Sequence, residues 1–102
     1  MVNLLLETSK YQVFDMKYGV TLLDRNANKD DDQKKYRNIF MQGDDAENFT
    51  KEIENLINSK IKNEFIDHFL SAYDEITASY NTVEELDKIG ITVREKRNRL
   101  KK

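Results

Sequence analysis

The segment Phe14-Asp15-Met16-Lys17-Tyr18-Gly19-Val20-Thr21-Leu22 sets an apolar side chain at every second position, with Asp15, Lys17, Gly19 and Thr21 between them. Period two is the mark of a half-buried strand, because successive side chains of an extended chain point to opposite sides. The pattern extends through residues 10–24, which is long for one strand. Lys17-Tyr18-Gly19 offers a turn, since glycine takes positive φ without steric cost. Two readings follow: a hairpin of residues 10–16 and 19–25, or one long strand with a bulge at Gly19.

Working outward, Leu4–Leu6 reads as a short strand on the N-terminal side. On the other side, residues 26–35 (NANKDDDQKK) hold almost nothing to bury and read as a mobile surface loop. Residues 36–42 restore strand character, and Gly43 ends them. Asp44 or Asp45 then starts a helix, a short acidic side chain there accepting orphan backbone N–H groups. Ala46, Phe49, Ile53, Leu56 and Ile57 share one face of it. Asn58-Ser59 offers a break, with Ser59 as a new cap, before a second stripe of Ile61, Phe65, Phe69, Tyr73, Ile76 and Tyr80 widened by Ile66 and Leu70. The series 49, 53, 57, 61, 65, 69, 73 keeps its phase, so one helix of about 35 residues in an oligomeric coiled coil is the alternative. Thr82-Val83-Glu84-Glu85 is a capping box for a short helix with Gly90 at its C′ position, and Thr92-Val93-Arg94-Glu95 opens a last helix.

The fold class is therefore α+β: a small antiparallel sheet from the N-terminal part packs against two or three C-terminal helices. Residues 1–93 form a single domain, and 94–102 a basic helical tail. The expected core is Phe14, Met16, Val20, Leu22, Ile39, Phe40, Phe49, Ile53, Leu56, Ile57, Phe65, Phe69, Leu70 and Tyr73.

Composition narrows the chemistry. The 102 residues contain no cysteine and one histidine, His68, which excludes disulfides, thiolate metal sites, cysteine nucleophiles and an intrachain multi-histidine centre. No run approaches the length of a membrane span, and the first residues lack the pattern of a signal peptide, so a cytoplasmic location is expected. Hydrophobic residues make up 38% and charged residues 35%, giving a heavily charged surface. The net charge of −2 is unevenly spread: residues 94–102 carry six basic side chains against Glu95, leaving an acidic body.

Five constellations have candidate chemistry. Asp24, Asn26, Asn28 and Asp30 alternate like the first half of a calcium loop, although Lys29 and Lys35 stand where an EF-hand has Gly and Glu. Gly43-Asp44-Asp45 resembles a polymerase metal motif, but helix capping explains both aspartates. Glu64 and His68, four apart with Asp67 adjacent, are more simply a surface helix pair. Residues 82–102 read as helix, Gly-Ile-Thr turn and basic helix, the order of a helix-turn-helix DNA reader, although Lys96 stands where such a helix is usually anchored by an apolar residue. Arg94, Lys96, Arg97, Arg99, Lys101 and Lys102 would then contact mostly phosphate. The ten aromatics follow strand and helix spacing, so they read as core first and partner surface second.

The stretch YRNIFMQGDDAENFTKEIENL, residues 36–56, resembles small uncharacterised proteins of phages and plasmids from low-GC Gram-positive bacteria. Ten Asn, twelve Lys and eight Ile against three Gly and no Pro agree with AT-rich coding. The resemblance implies a mobile-element setting and no activity. With no nucleophile system, phosphate loop or ligand cluster in the sequence, the expected function is a non-enzymatic protein-interaction module: a regulator, inhibitor or assembly factor without a cofactor. Its partner would be an unidentified protein, with a homodimer through helix 61–80 as a further expectation. The alternative is a nucleic-acid-binding accessory protein using residues 82–102.

Overall fold

The computed structural model describes residues 2–30 and 33–94. Strands β1 (Asn3–Glu7), β2 (Tyr11–Met16), β3 (Gly19–Asp30), β4 (Gln33–Met41) and β5 (Ser79–Asn81) form one antiparallel sheet in the order β1-β2-β3-β4-β5. Helices α1 (Gly43–Asn58) and α2 (Asn63–Ser71) follow β4, a 3-10 turn spans Ala72–Glu75, and α3 (Val83–Lys88) follows β5. The α+β class is as expected from the sequence.

Both faces of the sheet are covered. On one, Tyr11, Val13, Val20, Leu22, Ile39 and Met41 meet Ala46, Phe49 and Ile53 of α1 and Ile66 and Leu70 of α2. On the other, Phe14, Leu23 and Tyr36 meet Leu86 and Ile91, with Val2 and Val93 at the margin. The sequence expectation set Phe14 and Met16 beside Val20 and Leu22; the structure sends them to opposite faces. The turn explains it. Met16 pairs with Gly19 across Lys17-Tyr18, so Phe14 pairs with Thr21 and Val13 with Leu22. Paired residues share a face, and a two-residue loop therefore inverts the even–odd phase between the strands.

Gly19 also serves differently from the expectation. Its φ is not positive. A Cβ there would overlap the Met41 carbonyl oxygen and lie 2.8 Å from the Phe40 ring, so glycine is required for the close approach of β4.

Residues 26–30 and 33–35 are not the expected loop. β3 and β4 continue as a polar ribbon, with Ala27 opposite Tyr36 and Asn28 opposite Lys35. Backbone pairing needs few apolar side chains, and period-two hydrophobicity gives little signal where Ala27 and Tyr36 are the apolar members of the ribbon. A shift in register between Leu23 and Ala27 bends β3 where the ribbon leaves the body.

The helix expected at 61–80 is also corrected. α1 ends at Asn58, and Lys60, at φ 60°, reverses the chain. The Lys60 and Ile61 amides donate to the Ile57 and Leu56 carbonyls, a Schellman closure that satisfies the last carbonyls of α1. Ser59 caps the end of α1 and does not start α2, which begins after Lys62. Beyond Glu75 the chain leaves helical geometry, so Ile76 is exposed and Tyr80 lies on β5. Phe40, Ile57 and Phe65 of the expected core are exposed, while Val13, Leu23, Leu86 and Ile91 are buried without having been in that core, and Tyr11 and Tyr36 are buried as the aromatic spacing implied. A dimer along a continuous 61–80 helix has no such helix to use.

α3 follows the sequence closely. Thr82 Oγ1 accepts from the Glu85 amide and the Glu85 carboxylate accepts from the Thr82 amide, completing the capping box. Gly90, at φ 90°, allows the Gly90 and Ile91 amides to reach the Asp87 and Leu86 carbonyls.

Candidate partner-binding groove

A groove of about 450 Å³ opens between β4, α1 and the segment after the 3-10 turn. Its walls are Ile39–Gln42, then Asp45, Asn48, Phe49 and Glu52, then Tyr73, Ile76 and Thr77. The α1 residues fall at spacings of three, four and seven, which places them on one side of the helix. Asp45 and Glu52 are exposed, seven residues and thus roughly 10 Å apart along the axis. Among the described residues, no lysine or arginine lines the groove and neither carboxylate has an ion pair.

Tyr73 forms the base. Its ring meets Phe49 edge-on at 5.0 Å between centroids and Phe69 at 5.9 Å. Burial, then the nearby Glu52 and Asp45 carboxylates, push its phenol above the ordinary value.

Arg37 holds the outer wall. Its guanidinium donates to the carbonyls of Tyr73, Asp74 and Ile76 at 3.4, 2.6 and 2.7 Å and reaches Asp74 Oδ1 at 3.3 Å. Tyr11 adds a hydroxyl 3.1 Å from the same Oδ1. A side chain from the sheet thus closes the carbonyls left open by the 3-10 turn.

The β4 wall presents free backbone. β5 pairs only with Tyr36, Arg37 and Asn38. Because Met16 and Gly19 close a two-residue turn, the alternation of hydrogen-bonding direction turns Ile39 and Met41 toward β3 and Phe40 outward. Among the described residues, the Phe40 N–H and C=O have no backbone partner on that side. The Phe40 ring lies on the opposite face, over Gly19.

The sequence-selected residues are placed elsewhere or apart. Asp24, Asn26 and Asn28 lie along extended β3, as does the backbone of Asp30. A strand covers about 20 Å over six residues, so this segment does not form the wrapped loop of a calcium site. Asp24 Oδ1 accepts instead from the Asn26 amide at 2.9 Å, and burial raises its carboxyl above the usual range. Gly43-Asp44-Asp45 forms the first turn of α1; Gln42 is the N-cap residue, no side chain caps it, and the aspartates act only through the dipole. Asp67 is buried against Ser9 while Glu64 and His68 are exposed, so the three do not converge. Among the described residues no group of three His, Cys, Asp or Glu could hold a metal ion.

Of the basic tail, Arg94 is described, and Lys96, Arg97, Arg99, Lys101 and Lys102 lie outside the described residues. Residues 91–94 are not helical, and the rest of the helix expected to open at Thr92 lies outside the described residues. They are fastened to the sheet instead. The Arg94 amide donates to Gln12 Oε1 at 2.9 Å, its carbonyl accepts from Arg25, and its guanidinium stands 3.6 Å from Glu7. The second helix of the expected helix-turn-helix is thus absent from 91–94.

The groove residues escaped the sequence reading because each had a simpler role there. Asp45 read as a cap, and Phe40 and Tyr73 as core. The usable signal was the net acidity of α1: Asp44, Asp45, Glu47, Glu52 and Glu54 against Lys51.

These features define a small α+β domain with one antiparallel sheet, apolar layers on both faces, and a lateral acidic groove. The chain belongs to DUF3567, a family of proteins of unknown function, whose sequence model matches residues 2–83. Comparison with curated proteins and with solved structures gave no match. Among the described residues, no helix is long and apolar enough to cross a membrane.

Proposed function

We propose that this chain is a non-enzymatic protein-interaction module, acting as a regulator, inhibitor or assembly factor, whose helical layer addresses a basic partner protein. One observation carries the reading: the acidic, partly aromatic groove has unpaired carboxylates and no basic residue in its walls. Residues 44–93 reinforce it with twelve acidic against four basic side chains. Such a field favours encounter with a positive surface, while Tyr73 and Ile76 offer apolar contact. The mobile-element setting belongs to the same proposal and rests on composition.

The test is cross-linking of the chain in its source cells, followed by titration of each recovered protein in pure form. The reading holds if a pure partner binds, weakens with salt, and loses affinity to a chain carrying Asp44→Lys, Glu47→Lys and Glu54→Lys. It fails if no pure protein binds, or if binding ignores both salt and charge reversal.

A further inference from the structure

We propose that the groove between β4, α1 and residues 73–77 takes a short extended peptide segment of a partner, with two basic side chains flanking apolar ones. The inference rests on the reading of the chain as an interaction module and names what that module grips.

Three features define the occupant. The outward N–H and C=O of Phe40 offer one donor and one acceptor to an extended backbone lying beside β4. Thr77 and Ile76 bound that position on the far side, so the added strand is short. Asp45 and Glu52 stand along the α1 wall at a separation of about 10 Å, which lies between the roughly 7 Å and 13 Å that separate same-face side chains at i, i+2 and i, i+4 of an extended chain. Basic residues at i and i+4, which share one face, would meet one carboxylate each, their long flexible stems taking up the difference in spacing. Tyr73, Phe49 and Ile76 supply an apolar base for the residues between. Arginine suits the ends best, because a planar guanidinium forms paired hydrogen bonds with a carboxylate.

The experiment titrates acetyl-Arg-Val-Leu-Val-Arg-amide, whose arginines share one face when extended, into the full chain and follows backbone and side-chain NMR signals. The expected result is saturable shifts centred on Phe40, Asp45, Glu52 and Tyr73. Replacing both arginines by citrulline, which keeps shape and removes charge, is expected to weaken binding by at least about tenfold. Glu52→Gln is expected to weaken it similarly, and methylation of a central amide nitrogen to weaken it further. Light scattering of the chain alone is run alongside.

Shifts confined to other parts of the acidic surface, or citrulline binding as well as arginine, would overturn the groove assignment while leaving the interaction module standing. Self-association abolished by Glu52→Gln would assign the groove to a second copy and overturn the proposal. Absence of saturable binding at millimolar peptide would overturn it too. Failure of the pure-partner titrations, with the peptide still bound in the groove, would instead count against the broader reading.

Discussion

Ser9 Oγ donates a hydrogen bond to Asp67 Oδ2 at 2.8 Å, fastening the β1–β2 connection to α2 across 58 positions of the chain. The other carboxylate oxygen, Oδ1, is buried without a partner. Among the described residues, Ser9 supplies the one side-chain hydrogen bond to the carboxylate of Asp67, a residue that is 7% exposed. Ser9→Ala is expected to cost about 1–3 kcal/mol, because it strands a desolvated acceptor. The urea midpoint measures it. An unchanged midpoint would mean that water already solvates the carboxylate.

Gly19→Ala is expected to destabilise by about 1–3 kcal/mol through overpacking. The added methyl meets the Met41 carbonyl oxygen, which belongs to paired backbone and cannot turn aside as a side chain would. Thermal unfolding reads the loss. A melting curve identical to that of the parent would show that β4 lies farther from the turn than the structure places it.

Lys60→Gly is expected to stabilise the chain by roughly 0.5–1 kcal/mol. Lys60 is the non-glycine residue with positive φ among the described residues, and it sits at a helix C′ position where glycine carries no Cβ penalty. The melting temperature should rise by a few degrees. A fall would mean that the lysine side chain contributes more than its backbone strain costs.

Alkaline pH should weaken the fold through Tyr11. Burial, then the Asp74 carboxylate, push its phenol well above its ordinary value of 10.0. The folded chain thus holds this proton more tightly than the unfolded chain does. The stabilisation is complete below the unfolded value and is lost as pH rises from about 10 toward the folded value. Denaturation midpoints from pH 8 to 11 should fall, and Tyr11→Phe should reduce the slope. Tyr73, raised in the same direction, leaves a residual slope. Equal slopes in the two chains would remove Tyr11 from the account.

The architecture was legible in the sequence where local rules decide it. The Thr82 capping box and the Gly90 reversal depend on a few adjacent residues, and both form as read. The hairpin was also legible, but its facing was not: a phase inversion hangs on whether two residues or three make the turn. The ribbon at 26–30 and 33–35 carried little hydrophobic signal. Phase alone suggested a helix through residue 80, yet sheet pairing at Ser79–Asn81 and the Arg37 contacts with residues 73–76 take that chain elsewhere. The groove was the least legible part. Its walls come from three separated segments, and its β4 backbone groups are identified by register, a property of pairs of strands.

The sheet, apolar on both sides, acts as a partition. Ile53 and Leu86 belong to different clusters, one on each side of the backbone layer. Losses from Ile53→Val and Leu86→Ala should therefore sum in the double variant to within about 0.5 kcal/mol, as for non-communicating positions. The family match ends at residue 83, before Leu86, Ile91 and Val93 complete the second layer. Changes at Leu86 or Ile91 would thus uncover Phe14, Leu23 and Tyr36 without retuning the compartment that supports the groove.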